Sequence, residues 1–89
     1  MQHRRMRLLR KKHGVSMTQL SRHSDISHQR LYEIELGATE ATLHMSLLVE
    51  TAFSRLISER RRELSALESD FQMYRKTLLD YADEEAEHE

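Results

Sequence analysis

Cysteine, proline and tryptophan are absent from this 89-residue chain, and glycine occurs only twice. Without cysteine the chain has neither a disulfide framework nor a thiolate metal site. Without proline, and without an alternating apolar pattern, an all-α fold is expected. No apolar run approaches the roughly 18 residues that a membrane-spanning helix needs, and the basic start lacks the apolar region of a secretory signal. We therefore expect a cytoplasmic protein with no membrane partner.

Charge is distributed unevenly along the chain, although the net charge is only −1. Residues 1–37 carry eight Lys and Arg against three acidic residues, and residues 38–89 carry six against twelve. A basic half is the electrostatic footprint of a phosphate-binding surface, whereas the acidic end, DEEAEHE, should not approach DNA. The alternative is that both halves are ordinary solvated faces. Because a core this small supplies little net stability, oligomerisation is also expected.

The two glycines, Gly14 and Gly37, bracket a stretch whose pattern predicts two short amphipathic helices joined by a tight turn. A basic first helix over residues 2–13, with Arg10 among the basic residues of its outer face, should end at Gly14, where a positive φ is expected. Ser16 and Gln19 have the spacing of a capping box, which predicts the start of the second helix.

The turn before the third helix is expected to place Asp25 in a left-handed conformation, because Asp tolerates it better than most residues. Ser27 then caps a third helix over residues 27–36, whose inward side chains are Leu31 and Ile34. The outward side chains near its start carry the donors and acceptors that a major-groove recognition helix needs. The candidate base-reading residues are His28, Gln29, Arg30, Tyr32 and Glu33.

This stretch resembles the Cro/C1-type (XRE-like) helix-turn-helix family over residues 4–53, without a gap. The matching residues are Gly14-Val15-Ser16, Leu20-Ser21, Ile26-Ser27, Leu31, Ile34-Glu35 and Gly37, with Leu9-Arg10 upstream. The resemblance implies a small lambda-repressor-like domain that binds double-stranded DNA and reads bases with the third helix. Met17 stands where the family usually has a Gln that holds a phosphate, and Leu36 stands where an Asn is frequent. We expect phosphates to be held by Arg4, Arg7, Lys11, Thr18, Gln19 and Arg22.

From Thr42 to Asp83 neither glycine nor proline interrupts the chain, so one long helix is expected. From Phe53 onward its apolar residues follow a heptad repeat, which predicts a coiled coil. The a positions are Ile57, Leu64, Phe71 and Leu78, and the d positions are Phe53, Arg60, Leu67, Tyr74 and Tyr81. Arg60 is the exception, and this charged d position is expected to open the seam near the domain. Parallel and antiparallel pairing both stay open, and the alternative is a hairpin packed on its own domain. The predicted dimerisation residues are Phe53, Ile57, Leu64, Leu67, Phe71, Tyr74, Leu78 and Tyr81.

The sequence thus predicts a helix-turn-helix domain over residues 1–53, a coiled-coil helix over 54–83 and a disordered acidic tail over 84–89. The six histidines show no metal-ligand spacing, and no phosphate loop or nucleophile elbow is present, so neither an enzyme nor a cofactor is expected. The predicted function is a DNA-binding transcriptional regulator, acting as a homodimeric repressor. The alternative is an interaction module, such as an antitoxin or adaptor, whose C-terminal helix binds a different protein.

Overall fold

The computed structural model describes residues 3–82 of the chain. Within that range every regular element is an α-helix, as the sequence predicted. The four helices are α1 (Arg5–Lys12), α2 (Met17–Arg22), α3 (His28–Glu35) and α4 (Leu43–Tyr74). The molecule is elongated, with extents of 55 × 24 × 21 Å, because α4 continues far beyond the other three helices.

The helix ends follow the local chemistry of the sequence. Gly14 and Gly37 both adopt the expected positive φ, +62° and +74°. The capping box is confirmed: Gln19 N–H donates to Ser16 Oγ at 3.0 Å, and Ser16 N–H donates to Gln19 Oε1 at 2.9 Å. Ser27 caps α3 in the same manner, since its Oγ accepts from Arg30 N–H at 3.2 Å.

The turn between α2 and α3 is built differently from the prediction. No non-glycine residue of the described chain has a positive φ, so the expectation of a left-handed Asp25 is wrong. Ser24 supplies the hydrogen bonds instead. Its Oγ accepts from Ile26 N–H at 3.2 Å and lies 3.0 Å from Ile26 O. A hydroxyl that bonds the backbone two residues on makes a tight turn without left-handed backbone.

The core lies where α2 packs against α3 and α4, and α1 closes it by packing against α3. Leu20 and Leu31 are fully buried at its centre, and Ala52 brings α4 to the same point. Phe53, the first residue of the predicted heptad repeat, is half-buried against this core. Its side chain therefore packs in part on the domain. The buried apolar set is Val15, Met17, Leu20, Ile26, Leu31, Ile34, Ala52 and Leu56.

Helix α4 ends at Tyr74 rather than at Asp83, so the predicted length of the coiled-coil helix is wrong. Both the N–H and the Oγ1 of Thr77 donate to the Tyr74 carbonyl, at 2.9 and 3.4 Å. A side-chain hydroxyl that bonds the nearby backbone competes with helix continuation. Leu78 and Tyr81, predicted as seam residues on the helix, therefore lie beyond its end. The predicted acidic tail, 84–89, lies outside the described residues.

Candidate nucleic-acid interface

The outer face of α3 presents a compact polar surface. His28, Gln29 and Arg30 are exposed on its first turn, and Tyr32 is exposed one turn further along. Glu33 is half-buried and stands at the margin of this surface. The opposite face of the helix is fixed in the core by side chains that are at most 3% exposed, which are Leu31, Ile34 and Glu35.

Glu35 is the one polar residue that the domain buries completely within the described chain. Arg10 holds its carboxylate with two bonds: Nη2 donates to Oε1 at 2.7 Å, and Nε donates to Oε2 at 3.0 Å. Arg7 Nη1 adds a third bond to Oε1 at 3.3 Å. A bidentate Arg–carboxylate pair fixes orientation as well as charge, so it locks α1 to the end of α3.

Arg10 also donates from Nη1 to the Val15 carbonyl at 3.0 Å, beyond the end of α1. Its hydrogen bonds to Glu35 raise the pKa of Arg10 above its ordinary value, although desolvation acts in the opposite direction. The guanidinium is therefore permanently charged in the folded domain. Sequence reasoning placed Arg10 on the basic outer face. The available signal was that Arg10 and Glu35 both fall on positions of the family pattern.

Two of the predicted phosphate-binding residues donate hydrogen bonds within the domain. Arg4 Nε donates to the Ile34 carbonyl at 2.8 Å and its Nη2 donates to the Thr39 carbonyl at 3.2 Å. Arg7 is tied to Glu35. Arg4 thereby satisfies a carbonyl at the end of α3, where carbonyls without an intrahelical partner need donors, and Arg7 holds α1 against the same end through the Glu35 carboxylate.

The other predicted phosphate-binding residues lie on the outside. Lys11 is exposed in the last turn of α1, and Thr18 and Arg22 are exposed on α2. Gln19 is half-buried, and its side-chain oxygen is fixed by the capping box, so its amide group has a defined orientation. Met17 is 7% exposed and belongs to the core, which removes the first residue of α2 from any phosphate contact.

The junction between α4 and the domain contains polar contacts that the sequence did not reveal. Arg60 Nη1 donates to the His13 carbonyl at 3.0 Å, and its Nη2 lies 3.4 Å from the Gly14 carbonyl. Arg60 thus neutralises the C-terminal end of α1 and holds α4 to the domain, whereas the sequence predicted a gap in the seam there. Nearby, His23 Nε2 lies 2.7 Å from Glu59 Oε2.

Residues 3–82 contain no group of three or more side chains arranged to hold a metal ion. Among the same residues, no helix has the length and apolar character to cross a membrane.

A capped helix, a tight turn and a second helix with a polar outer face define a helix-turn-helix domain. A helix-turn-helix family model matches residues 6–59, which is more than half of the chain. The protein belongs to the Cro/C1-type (XRE-like) helix-turn-helix family. This membership indicates a DNA-binding transcription regulator. Comparisons with curated proteins and with solved structures give no match.

Proposed function

We propose that this protein is a sequence-specific transcriptional repressor that binds double-stranded DNA as a homodimer and inserts α3 into the major groove. The exposed polar face of α3 is the observation that carries this proposal. Its side chains project from a helix whose inner face is fixed by Leu31, Ile34 and the buried Glu35. A rigid helix with free donors and acceptors at its start is what direct base readout requires.

Individual roles follow from the chemistry of the side chains. Gln29 can pair with adenine through one donor and one acceptor, and Arg30 can donate two hydrogen bonds to guanine. His28 and Tyr32 lie on either side of them along the helix, and Glu33 stands at the edge. Each good bidentate pair contributes about 1–3 kcal/mol of discrimination against the wrong base.

Phosphates would be held by residues on the outer faces of α1 and α2. We retain Lys11, Thr18, Gln19 and Arg22 in this role, and we leave out Arg4 and Arg7 because their guanidinium groups already donate hydrogen bonds within the domain. Such contacts set the register on DNA without reading its sequence. A protein that binds DNA in this way would act in the cytoplasm, where it meets the DNA.

The test measures binding of the full chain to a palindromic site from its own promoter region by fluorescence anisotropy. Gln29→Ala/Arg30→Ala should bind that site on the order of tenfold to a hundredfold more weakly than wild type, from the loss of base contacts. Binding to random DNA should change far less. Arg62→Ala is the matched control, because it removes an exposed arginine of α4 that lies outside the interface.

Two salt concentrations, about 50 and about 200 mM, separate base contacts from phosphate contacts, since only phosphate contacts carry a strong salt dependence. Lys11→Ala should reduce the salt dependence for every sequence equally. If the double variant of α3 discriminates between sequences as well as wild type does, then base reading by α3 is wrong.

The homodimer would form through the exposed apolar stripe of α4. Leu64→Asp/Leu67→Asp should convert a dimer into a monomer, measured by size exclusion with light scattering. Ser65→Asp/Ser69→Asp adds the same charge at other exposed positions of this part of α4 and should leave the dimer intact. A wild-type chain that is monomeric at tens of micromolar contradicts this part of the proposal.

A second candidate function is an interaction module that binds a different protein through α4. The burial of Met17 favours it, because the family's phosphate-holding Gln is replaced here by a core residue. This candidate predicts DNA binding that shows no sequence preference at either salt concentration, together with a full-length chain that forms no homodimer.

A further inference from the structure

A groove of about 350 Å³ lies between α1 and α4 at the edge of the domain. Leu9 of α1 forms one wall, and Phe53, Ile57 and Leu64 of α4 contribute apolar surface along its length. Leu9 is 47% exposed and Ile57 is also 47% exposed, so the groove presents accessible apolar surface. The proximal half of the α4 stripe is therefore a concave surface with two walls.

The distal half of the same stripe has the opposite shape. Every residue from 61 to 82 is exposed, so no other part of the described chain covers this half of α4. Its stripe includes two exposed aromatic side chains: Phe71 is 43% exposed and Tyr74 is 47% exposed. Leu78, 58% exposed, lies four residues beyond the end of the helix. The distal half is thus a convex aromatic ridge.

We propose that a second copy of this chain packs along α4 in the antiparallel direction and inserts Phe71, Tyr74 and Leu78 into the groove. This inference deepens the homodimer of the proposed function and rests on it. A two-fold axis near residues 65 and 66 lets each copy give its ridge and receive the other's, as an isologous interface requires.

The heptad pattern supplies the register of this pairing. In an antiparallel coiled coil each a position lies opposite a d position of the other helix. Placing Leu64 opposite Leu67 of the second copy then places Ile57 opposite Tyr74. Phe53 lies inside the groove beyond Ile57, on the side where the chain of the second copy continues from Tyr74 to Leu78. One register therefore pairs the apolar residues of both helices, and it carries the residues that follow the helix toward Phe53.

Parallel pairing leaves the same surfaces unsatisfied. It would set groove against groove and ridge against ridge, so neither groove receives a side chain. It would also set Arg60 opposite Arg60, and the acidic residues that follow Tyr74 would meet at one end. In the antiparallel register Arg60 lies opposite Phe71, where its methylene stem can pack on the ring while its guanidinium keeps its bonds to the end of α1. Charge and shape both favour the antiparallel arrangement.

Cross-linking distinguishes the two directions, and the absence of native cysteine makes it free of background. In the antiparallel register Ile57 lies about 25 Å from Ile57 of the second copy, from a rise of about 1.5 Å per residue. In the parallel arrangement the two lie directly opposite. We therefore propose treating Ile57→Cys and Tyr74→Cys, alone and as an equimolar mixture, with a short thiol cross-linker, and with Ser69→Cys as the outward-facing control.

The antiparallel dimer predicts cross-linked product only in the mixture of Ile57→Cys and Tyr74→Cys. Product from Ile57→Cys alone establishes parallel pairing and overturns the inference. A monomeric chain, or the absence of product from every sample, also overturns it, because the second copy is then not the occupant of the groove.

The groove itself is tested from α1, which is not part of the coiled coil. Leu9→Asp should weaken dimerisation by about tenfold or more, because it places a charge against the inserted aromatic side chains. Leu8→Asp is the matched control: Leu8 is 68% exposed and does not line the groove. Both variants are first checked for helical content by circular dichroism. Equal dissociation constants for the two variants overturn insertion into the groove.

These measurements are made without DNA, so their outcome is independent of base reading by α3. A cross-linked antiparallel dimer that fails to bind any DNA site contradicts the repressor function alone. Sequence-specific binding by a chain that cross-links in the parallel direction contradicts the antiparallel inference alone.

Discussion

Replacing Arg10 with methionine removes the cation that faces the fully buried carboxylate of Glu35. Methionine keeps the aliphatic length of the arginine and its packing against α3, but it donates no hydrogen bond. Glu35 then keeps only the longer contact to Arg7, at 3.3 Å. The Val15 carbonyl also loses the donor that it has in the wild-type protein.

The expected cost is large because of the burial. Glu35 is 0% exposed, and the side chain of Arg10 is 12% exposed. Removing one partner of such a buried pair costs about 3–5 kcal/mol, because the remaining charge is uncompensated. Since Arg7 offsets part of this, we expect about 3 kcal/mol. That is a large fraction of the roughly 5 kcal/mol by which a small domain is stable.

The measurement is urea denaturation at neutral pH, followed by far-ultraviolet circular dichroism. Arg10→Met/Glu35→Leu should recover at least about 2 kcal/mol relative to the single variant, since an apolar pair of similar volume removes the buried charge. Lys12→Met, on an exposed face of the same helix, should change stability by less than about 0.5 kcal/mol. Stability of Arg10→Met within that same margin of wild type would refute the role assigned to the ion pair.

Three smaller perturbations test the ends of the helices, each by the same denaturation assay. Gly14→Ala should cost about 1 kcal/mol through its positive φ alone, because a Cβ there meets nothing within 4 Å; an unchanged midpoint contradicts this. Ser16→Ala should also cost about 1 kcal/mol by removing the capping box of α2, and Ser16→Thr should recover most of it. Arg60→Ala should cost about 0.5–1 kcal/mol through its bonds to the end of α1. Equal free energies of unfolding for Arg60→Ala and Arg61→Ala would exclude a specific contact.

Much of the domain could be predicted because its signals are local. A capping box, a positive-φ glycine and an i, i+3 apolar pair each act within one turn of helix. Ser16, Gly14 and Leu31 were therefore assigned correctly from residue type and spacing. The prediction of a left-handed Asp25 was wrong because two different residue types can make this turn. The hydroxyl of Ser24 does so without left-handed backbone.

The remaining differences depend on contacts between residues distant in the sequence. Arg10 was placed among exposed basic residues because nothing next to it in the chain shows that Glu35 would lie 2.7 Å away. The role of Arg60 was predicted only from its position in the heptad of α4, but the carbonyls that it bonds lie at the end of α1. Both arginines became structural residues through tertiary packing, which a pattern of single-helix periodicity does not report.

Helix α4 runs without interruption from the domain into its exposed segment, residues 61–74, which we call the arm, and this continuity gives the helix torsional stiffness. Leu56 is buried in the domain, while Leu64, about two turns further along the same helix, is 66% exposed. A partner bound at the distal end of α4 therefore fixes the orientation of α3 about the α4 axis, because α4 has no hinge that could absorb a mismatch. One residue inserted between them would turn the domain by about 100° relative to the arm. Seven inserted residues would return it to within about 20°.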